Sequence, residues 1–90
     1  MPEYTSLIIS REFVESYGAR EFSFAERQHF RRALLLLDEN EQHPSLRVHQ
    51  LQGKQAGIWS ASASDELRIT FERRADGVKV ILRSSRHYAR

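Results

Sequence analysis

Cysteine is absent from these 90 residues, so disulfides, thiolate metal clusters and a cysteine nucleophile are all excluded. That absence is compatible with a reducing compartment such as the cytoplasm, which is the expected location. No apolar run approaches the roughly 18 residues of a membrane-spanning helix, so no membrane partner is expected. The opening stretch MPEYTSLIIS lacks the basic start and long apolar core of a secretory signal, and none is expected. Internal repeats and low-complexity tracts are missing too. What remains is an apolar fraction of 40% and a charged fraction of 29%, the balance of a folded globular chain rather than a disordered one. At this length a single domain over residues 1–90 is the sensible count.

The formal net charge of +2 conceals an asymmetry. Residues 1–45 carry five Arg/Lys against eight Asp/Glu, and residues 46–90 carry nine against four. The basic half also holds Trp59, His49, His87 and Tyr88. Cationic side chains interleaved with aromatic ones are the footprint of a nucleic-acid contact, although a solvated basic face reads the same way from charge alone.

Local patterns give an element order of β-α-α-β-β-β. Tyr4–Ile9 is rich in strand formers. Ser10 is placed to cap a short helix through Phe13, Val14 and Tyr17, with Gly18 as its stop. Ser23 and Glu26 have capping-box spacing and predict a longer helix from Phe24 to Glu39. Phe30, Ala33, Leu34 and Leu37 form its buried stripe. Leu35 and Leu36 lie off that stripe, which leaves either burial against the short helix or a partner groove. The long connection from about Asn40 to Ala56 is of a length often tied to function. Strands are predicted over Ile58–Ala63, Leu67–Arg73 and Val78–Ser84, the last two joined by an Asp76-Gly77 hairpin. The expected class is α+β, with two N-terminal helices on one face of a mostly antiparallel four-stranded sheet.

Alternation then sorts the strand faces. Leu67, Ile69 and Phe71 should face the helices, leaving Arg68 and Thr70 outward. Unbroken alternation in the last strand puts Val78, Val80 and Leu82 inward and Lys79, Ile81, Arg83, Ser85 and His87 outward. Arg68 and His87 would then meet on the open face with Arg83 nearby, and Tyr88 would follow at the strand end. Arginine can bind a phosphate bidentately and stabilise charge developing on it. Histidine can pass a proton to a leaving oxygen, and tyrosine can stack on a base. Taken singly, each of these residues is as well explained by an ordinary solvated strand or tail.

The segments His49-Gln50-Leu51-Gln52-Gly53, Gly57-Ile58-Trp59-Ser60, Glu66-Leu67-Arg68-Ile69-Thr70-Phe71 and Arg86-His87-Tyr88 resemble the RelE/ParE superfamily of toxin–antitoxin toxins. The resemblance is nearest to the YoeB-like and YafQ-like mRNA interferases. It covers roughly residues 44–88, and the β-α-α start agrees in layout. It implies a RelE-like fold, a cognate antitoxin that wraps the toxin in a heterotetramer or larger complex, and action on mRNA at the ribosome. The implied chemistry needs neither cofactor nor metal: a 2′-hydroxyl attacks the adjacent phosphate, leaving a 2′,3′-cyclic phosphate and a 5′-hydroxyl. By position, Arg68 matches the phosphate-stabilising arginine. His87 with Tyr88 matches the acid-bearing ending, with Tyr88 orienting substrate, and His49 matches a base or proton shuttle. Asp65 falls where the YafQ branch has an acidic residue. Lys54, Arg83 and Arg86 are candidate RNA-phosphate contacts. The YoeB-branch glutamate base has no counterpart in Gln42-His43-Pro44-Ser45, and the second YafQ-branch histidine falls near Ser62-Ala63, so the set is a hybrid of two branches. Trp59 reads as core rather than site. The same frame also occurs in gyrase inhibitors and in inactive antitoxin-binding modules, and these are the alternative functions.

Overall fold

The computed structural model describes residues 4–53 and 56–86. The candidate residues Lys54, His87 and Tyr88 lie outside the described residues.

Both predicted helix starts are built by their caps. Ser10 Oγ accepts from the Phe13 amide at 3.0 Å and opens α1, Arg11–Tyr17. At Ser23 the capping box is complete. The Glu26 amide donates to Ser23 Oγ at 3.1 Å, and the Ser23 amide donates to Glu26 Oε1 at 2.9 Å. This starts α2, Phe24–Glu39, whose buried residues are Phe30, Ala33, Leu34 and Leu37, the stripe the sequence predicts. Leu36 packs partly buried against the core, whereas Leu35 stays exposed.

The sheet departs from expectation in having five strands and mixed direction. Their order is β1-β5-β4-β3-β2, with β1 at Leu7–Ile9, β2 at His49–Gln50, β3 at Ile58–Ser62, β4 at Leu67–Arg73 and β5 at Lys79–Arg86. β1 runs parallel to β5, and the other pairings are antiparallel. The additional strand, β2, is only two exposed residues long, too short for alternation to register. With a 3-10 turn at Pro44–Leu46, it takes up part of the long Asn40–Ala56 connection. β1 starts later than predicted because the Thr5 and Ser6 amides donate to the Asp38 carboxylate, at 3.0 and 2.6 Å, rather than to a ladder. Burial alone would raise the Asp38 pKa, but these bonds and the Ser6 and Thr5 hydroxyls outweigh it and hold the group below its ordinary value.

β5 carries the largest correction. Phe71 pairs with Ile81 and Thr70 with Arg83, so Leu82 is an extra residue, a β-bulge. Before the bulge Lys79 and Ile81 face the helices, 4% and 0% exposed, and Val80 does not. After it Ser84 is buried while Arg83 is exposed. The predicted inward set of Val80 and Leu82 is therefore overturned, as is the outward placement of Lys79 and Ile81. The cause lies in α1. The Ser10 amide donates to the Ile81 carbonyl at 3.0 Å and Ser10 Oγ to the Leu82 carbonyl at 3.2 Å. The Ser84 amide donates to Ser16 Oγ at 2.9 Å. These bonds hold β5 against the helix across the slip.

Phe13, Phe22, Phe30, Leu37, Leu46, Leu67, Ile69, Phe71 and Ile81 form the core between the helices and the sheet. Phe22 and Phe30 meet edge to face with centroids 4.9 Å apart. The buried Lys79 ammonium sits 3.4 Å from Glu41 Oε1 and 3.3 Å from Ser6 Oγ, and Arg73 Nη1 also donates to Glu41 at 3.1 Å. The Arg73 bonds lead the forces that lower the Glu41 pKa. At the other end of β5, Arg86 Nη1 meets Glu26 Oε2 at 2.6 Å and Arg86 Nη2 meets Glu26 Oε1 at 3.0 Å.

The hydrogen bond from Arg86, followed by that from the Ser23 amide, pulls the Glu26 pKa down from 4.5 to about 2. A carboxylate depressed on folding stabilises fully above its unfolded pKa and loses that contribution as pH falls through the folded value. Glu26→Gln should therefore melt at a lower temperature than the wild type at neutral pH. Circular-dichroism melts should show the gap closing as pH falls from 4.5 towards about 2. A gap independent of pH would contradict the ion pair.

Candidate functional site

The sheet face turned away from the helices is assembled by strand register. His49 on β2 pairs with Ser60 on β3, Ser60 with Thr70 on β4, and Thr70 with Arg83 on β5, giving one polar row across four strands. The next row is Ser62, Arg68 and Ser85. Small serines keep the floor low: Ser60 and Ser62 are buried while His49 and Arg83 are exposed. Strand spacing of about 4.8 Å sets the backbones of His49 and Arg68 roughly 12 Å apart, two strands over and two residues along. Arg68 and Arg83 are diagonal neighbours at about 7–8 Å.

The two site side chains in this patch with resolved partners are held by carbonyls. His49 Nδ1 lies 2.8 Å from the Arg47 carbonyl. A carbonyl can only accept, so Nδ1 carries the proton, and in the neutral ring Nε2 presents its lone pair. Arg47 itself has φ 46° and ψ 46°, the left-handed conformation that non-glycine residues adopt at a cost. Arg68 Nη1 donates to the carbonyls of Ser64 at 2.8 Å, Asp65 at 3.0 Å and Leu67 at 3.1 Å. These bonds turn the guanidinium towards the β3–β4 turn. They leave Nε and Nη2, the edge that grips a phosphate with two parallel bonds, without a partner among the described residues. Arg83 likewise has no acidic partner there, and its carbonyl accepts from Thr70 Oγ1 at 3.5 Å.

The structure thus brings Arg68, Arg83 and His49 to one face, as the sequence led one to expect for the two arginines. It takes Arg86 away from them. Arg86 pairs with Leu67 on the helix side and binds Glu26 and the Glu21 carbonyl (3.1 Å), with Glu66 at 3.6 Å. Its sequence role as an RNA contact rested on charge, and its geometry is that of a clasp between β5 and the start of α2. Trp59 faces the core side, stacked near Phe71 with centroids 6.5 Å apart and beneath the Arg73 guanidinium at 4.3 Å. Asp65 contributes its carbonyl to Arg68, and its carboxylate is exposed. Arg47 was not visible as a site residue in the sequence, since no pattern marks a non-glycine left-handed position. Among the described residues no group of three or more His, Asp or Glu side chains is arranged to hold a metal ion. None of their helices is long and apolar enough to cross a membrane.

No family model and no curated protein matches the chain by sequence. Solved structures do match in shape. YafQ from E. coli strain BL21(DE3) superimposes with a TM-score of 0.72 at 15% identity, over 89% of this chain and 90% of that one. The YoeB/ParE toxin from Agrobacterium tumefaciens gives 0.66 at 18% identity, over 93% and 100%. The toxin–antitoxin complex RelBE2 from Mycobacterium tuberculosis gives 0.62 at 14%, over 94% and 100%. A five-stranded mixed sheet backed by two N-terminal helices overlays these chains along most of its length, and the likeness is one of fold.

Proposed function

We propose that this chain is the toxin of a type II toxin–antitoxin pair and an endoribonuclease that cuts mRNA on the ribosome. The observation that carries this reading is the open-face patch. Arg68 is anchored by three carbonyls with its Nε–Nη2 edge unengaged among the described residues, Arg83 lies diagonal to it, and His49 shares the face with Nδ1 held by the Arg47 carbonyl. The likeness in fold to YafQ, to a YoeB/ParE toxin and to a chain in a toxin–antitoxin complex supports both the role and an antitoxin partner.

In this scheme a phosphodiester lies across the Ser62–Arg68–Ser85 row. His49 Nε2 takes the proton of the 2′-hydroxyl, and the 2′-oxygen attacks the adjacent phosphorus. The bond from phosphorus to the 5′-oxygen breaks, and that oxygen takes a proton from His87, the acid suggested by the family likeness. The products are a 2′,3′-cyclic phosphate and a 5′-hydroxyl. Arg68 meets the negative charge that grows on the non-bridging oxygens, an interaction worth on the order of 10²–10³ in rate. General acid or base removal costs a similar 10²–10⁴. Tyr88 orients the substrate, and Lys54 and Arg83 hold flanking phosphates.

Induced expression should arrest growth, and mapping of transcript 5′ ends should show new 5′-hydroxyl termini. Arg68→Ala and His87→Ala should each lower cleavage by about 10²-fold or more while the protein stays folded, and relieve the arrest. Wild-type toxicity from both variants contradicts the assignment. DNA breaks with an SOS response and intact transcripts would instead identify a gyrase inhibitor.

A further inference from the structure

Six of the twelve described Lys and Arg side chains have hydrogen-bond or ion-pair partners, Arg68 of the open face among them. Arg27 donates to the carbonyls of Tyr17 and Ala19, Arg73 and Lys79 share Glu41, Arg74 pairs with Asp76, and Arg86 grips Glu26. Beside the open face, a cavity of about 510 Å³ separates α2 from the 3-10 turn and the β3–β4 turn. Its lining includes His29 and Arg32 of α2 and Arg47 after the 3-10 turn. These three side chains are exposed and make no hydrogen bond or ion pair among the described residues. His29 and Arg32 stand three apart on the helix and so present to the same side. Ser62 and Ser64 add hydroxyls, and Asp65 is the one carboxylate among the lining residues described.

Arg47 is the informative position. Its left-handed backbone, closed by the bond from its amide to the Pro44 carbonyl at 3.3 Å, is one a glycine would adopt without strain. An arginine there adds a guanidinium in the cavity and nothing that the turn requires. The cavity walls also hold the two anchored site residues. The Arg47 carbonyl binds His49 Nδ1, and the Ser64 and Asp65 carbonyls bind Arg68 Nη1.

We propose that this cavity is a second RNA seat, in which Arg32, Arg47 and His29 hold a backbone phosphate flanking the one on the open face. The proposal rests on the reading of the chain as an RNA-acting protein and adds a subsite to it. A polyanion running off the Arg68 row meets the cavity directly, because Ser62 pairs with Arg68 and lines its wall. The two guanidiniums, the imidazole and the serine hydroxyls of the lining supply the donors that a phosphate oxygen takes, above a floor that includes Pro44 and Ala63. A phosphate seated there presses on the segments that orient His49 and Arg68.

The test uses the full chain and a fluorescent RNA 12-mer that is 2′-O-methylated throughout, so that it binds without being cut. The key variant is Arg32→Ala/Arg47→Gly, chosen because alanine suits an exposed helix position and glycine suits a left-handed one. Its affinity at moderate salt should fall by about 10-fold or more. The slope of log K against log salt should shrink by about 1.4, or 0.7 for each cation lost on a single strand. Asp65→Asn should bind more tightly, and Arg20→Ala, on the exposed α1–α2 link, should bind as the wild type does. A second arm measures pelleting with ribosomes. Weaker binding of the 12-mer identifies messenger RNA as the occupant, and weaker pelleting alone identifies ribosomal RNA. An unchanged affinity, slope and pelleting in the folded double variant overturns the proposal. So does a loss confined to poly-glutamate binding. Because the probe cannot be cleaved, cavity-dependent binding by a chain that cuts no RNA would refute the nuclease alone, whereas cutting with unchanged binding in the variant would refute the cavity alone.

Discussion

The slip at Leu82, fixed by the contact of α1 with β5, is the constraint on which the candidate site face depends. Ser10 does three things at once. Its hydroxyl caps α1, its amide binds the Ile81 carbonyl, and its hydroxyl binds the Leu82 carbonyl. Ser16 Oγ donates to the Phe13 carbonyl at 2.9 Å and accepts from the Ser84 amide at 2.9 Å. Its single proton is thereby used, so Ser84 Oγ is the donor in the 2.9 Å contact between the two hydroxyls. With one residue inserted, β5 sends Lys79 and Ile81 inward in its first half and Arg83 and Ser85 outward in its second. A strand without the slip would either bury Arg83 or expose Ile81.

Part of the chain's cationic set is structural. Three of those that bind carboxylates, Arg73, Lys79 and Arg86, tie elements distant in sequence. Glu41 holds Arg73 and Lys79 at the hairpin end of the sheet, and Glu26 holds Arg86 at the other end. These pairs are partly buried, and the bidentate Arg86–Glu26 geometry also fixes where β5 lies against the start of α2. Arg32, Arg47, Arg68 and Arg83 have no acidic partner among the described residues. These four lie around one turn and one sheet face, whereas Arg11, Arg20 and Arg31, also exposed and without an acidic partner among the described residues, lie on the helices and the link between them.

What could be read from the sequence was what local chemistry decides. The Ser10 and Ser23 caps, the buried stripe of α2, the Asp76-Gly77 turn (Gly77 φ 88°) and the two faces of β4 depend on residues a few positions apart. The features that could not be read depend on partners far along the chain. Alternation in β5 fails because Ser10, 72 residues away, holds the bulge. Arg86 leaves the candidate site because Glu26, 60 residues away, binds it. β1 is short because Asp38 takes the Thr5 and Ser6 amides. β2 is two residues long and carries His49 to the open face by pairing alone.

The absence of native cysteine allows the face of β5 to be read directly, one introduced thiol at a time. In Ile81→Cys, Arg83→Cys, Ser84→Cys and Ser85→Cys, reaction with a maleimide on the folded protein reports which positions are open. The bulged strand predicts fast labelling at 83 and 85 and protection at 81 and 84. Fast labelling at 81 together with 83 and 85, the pattern of unbroken alternation, would contradict the bulge and with it the arrangement of the site.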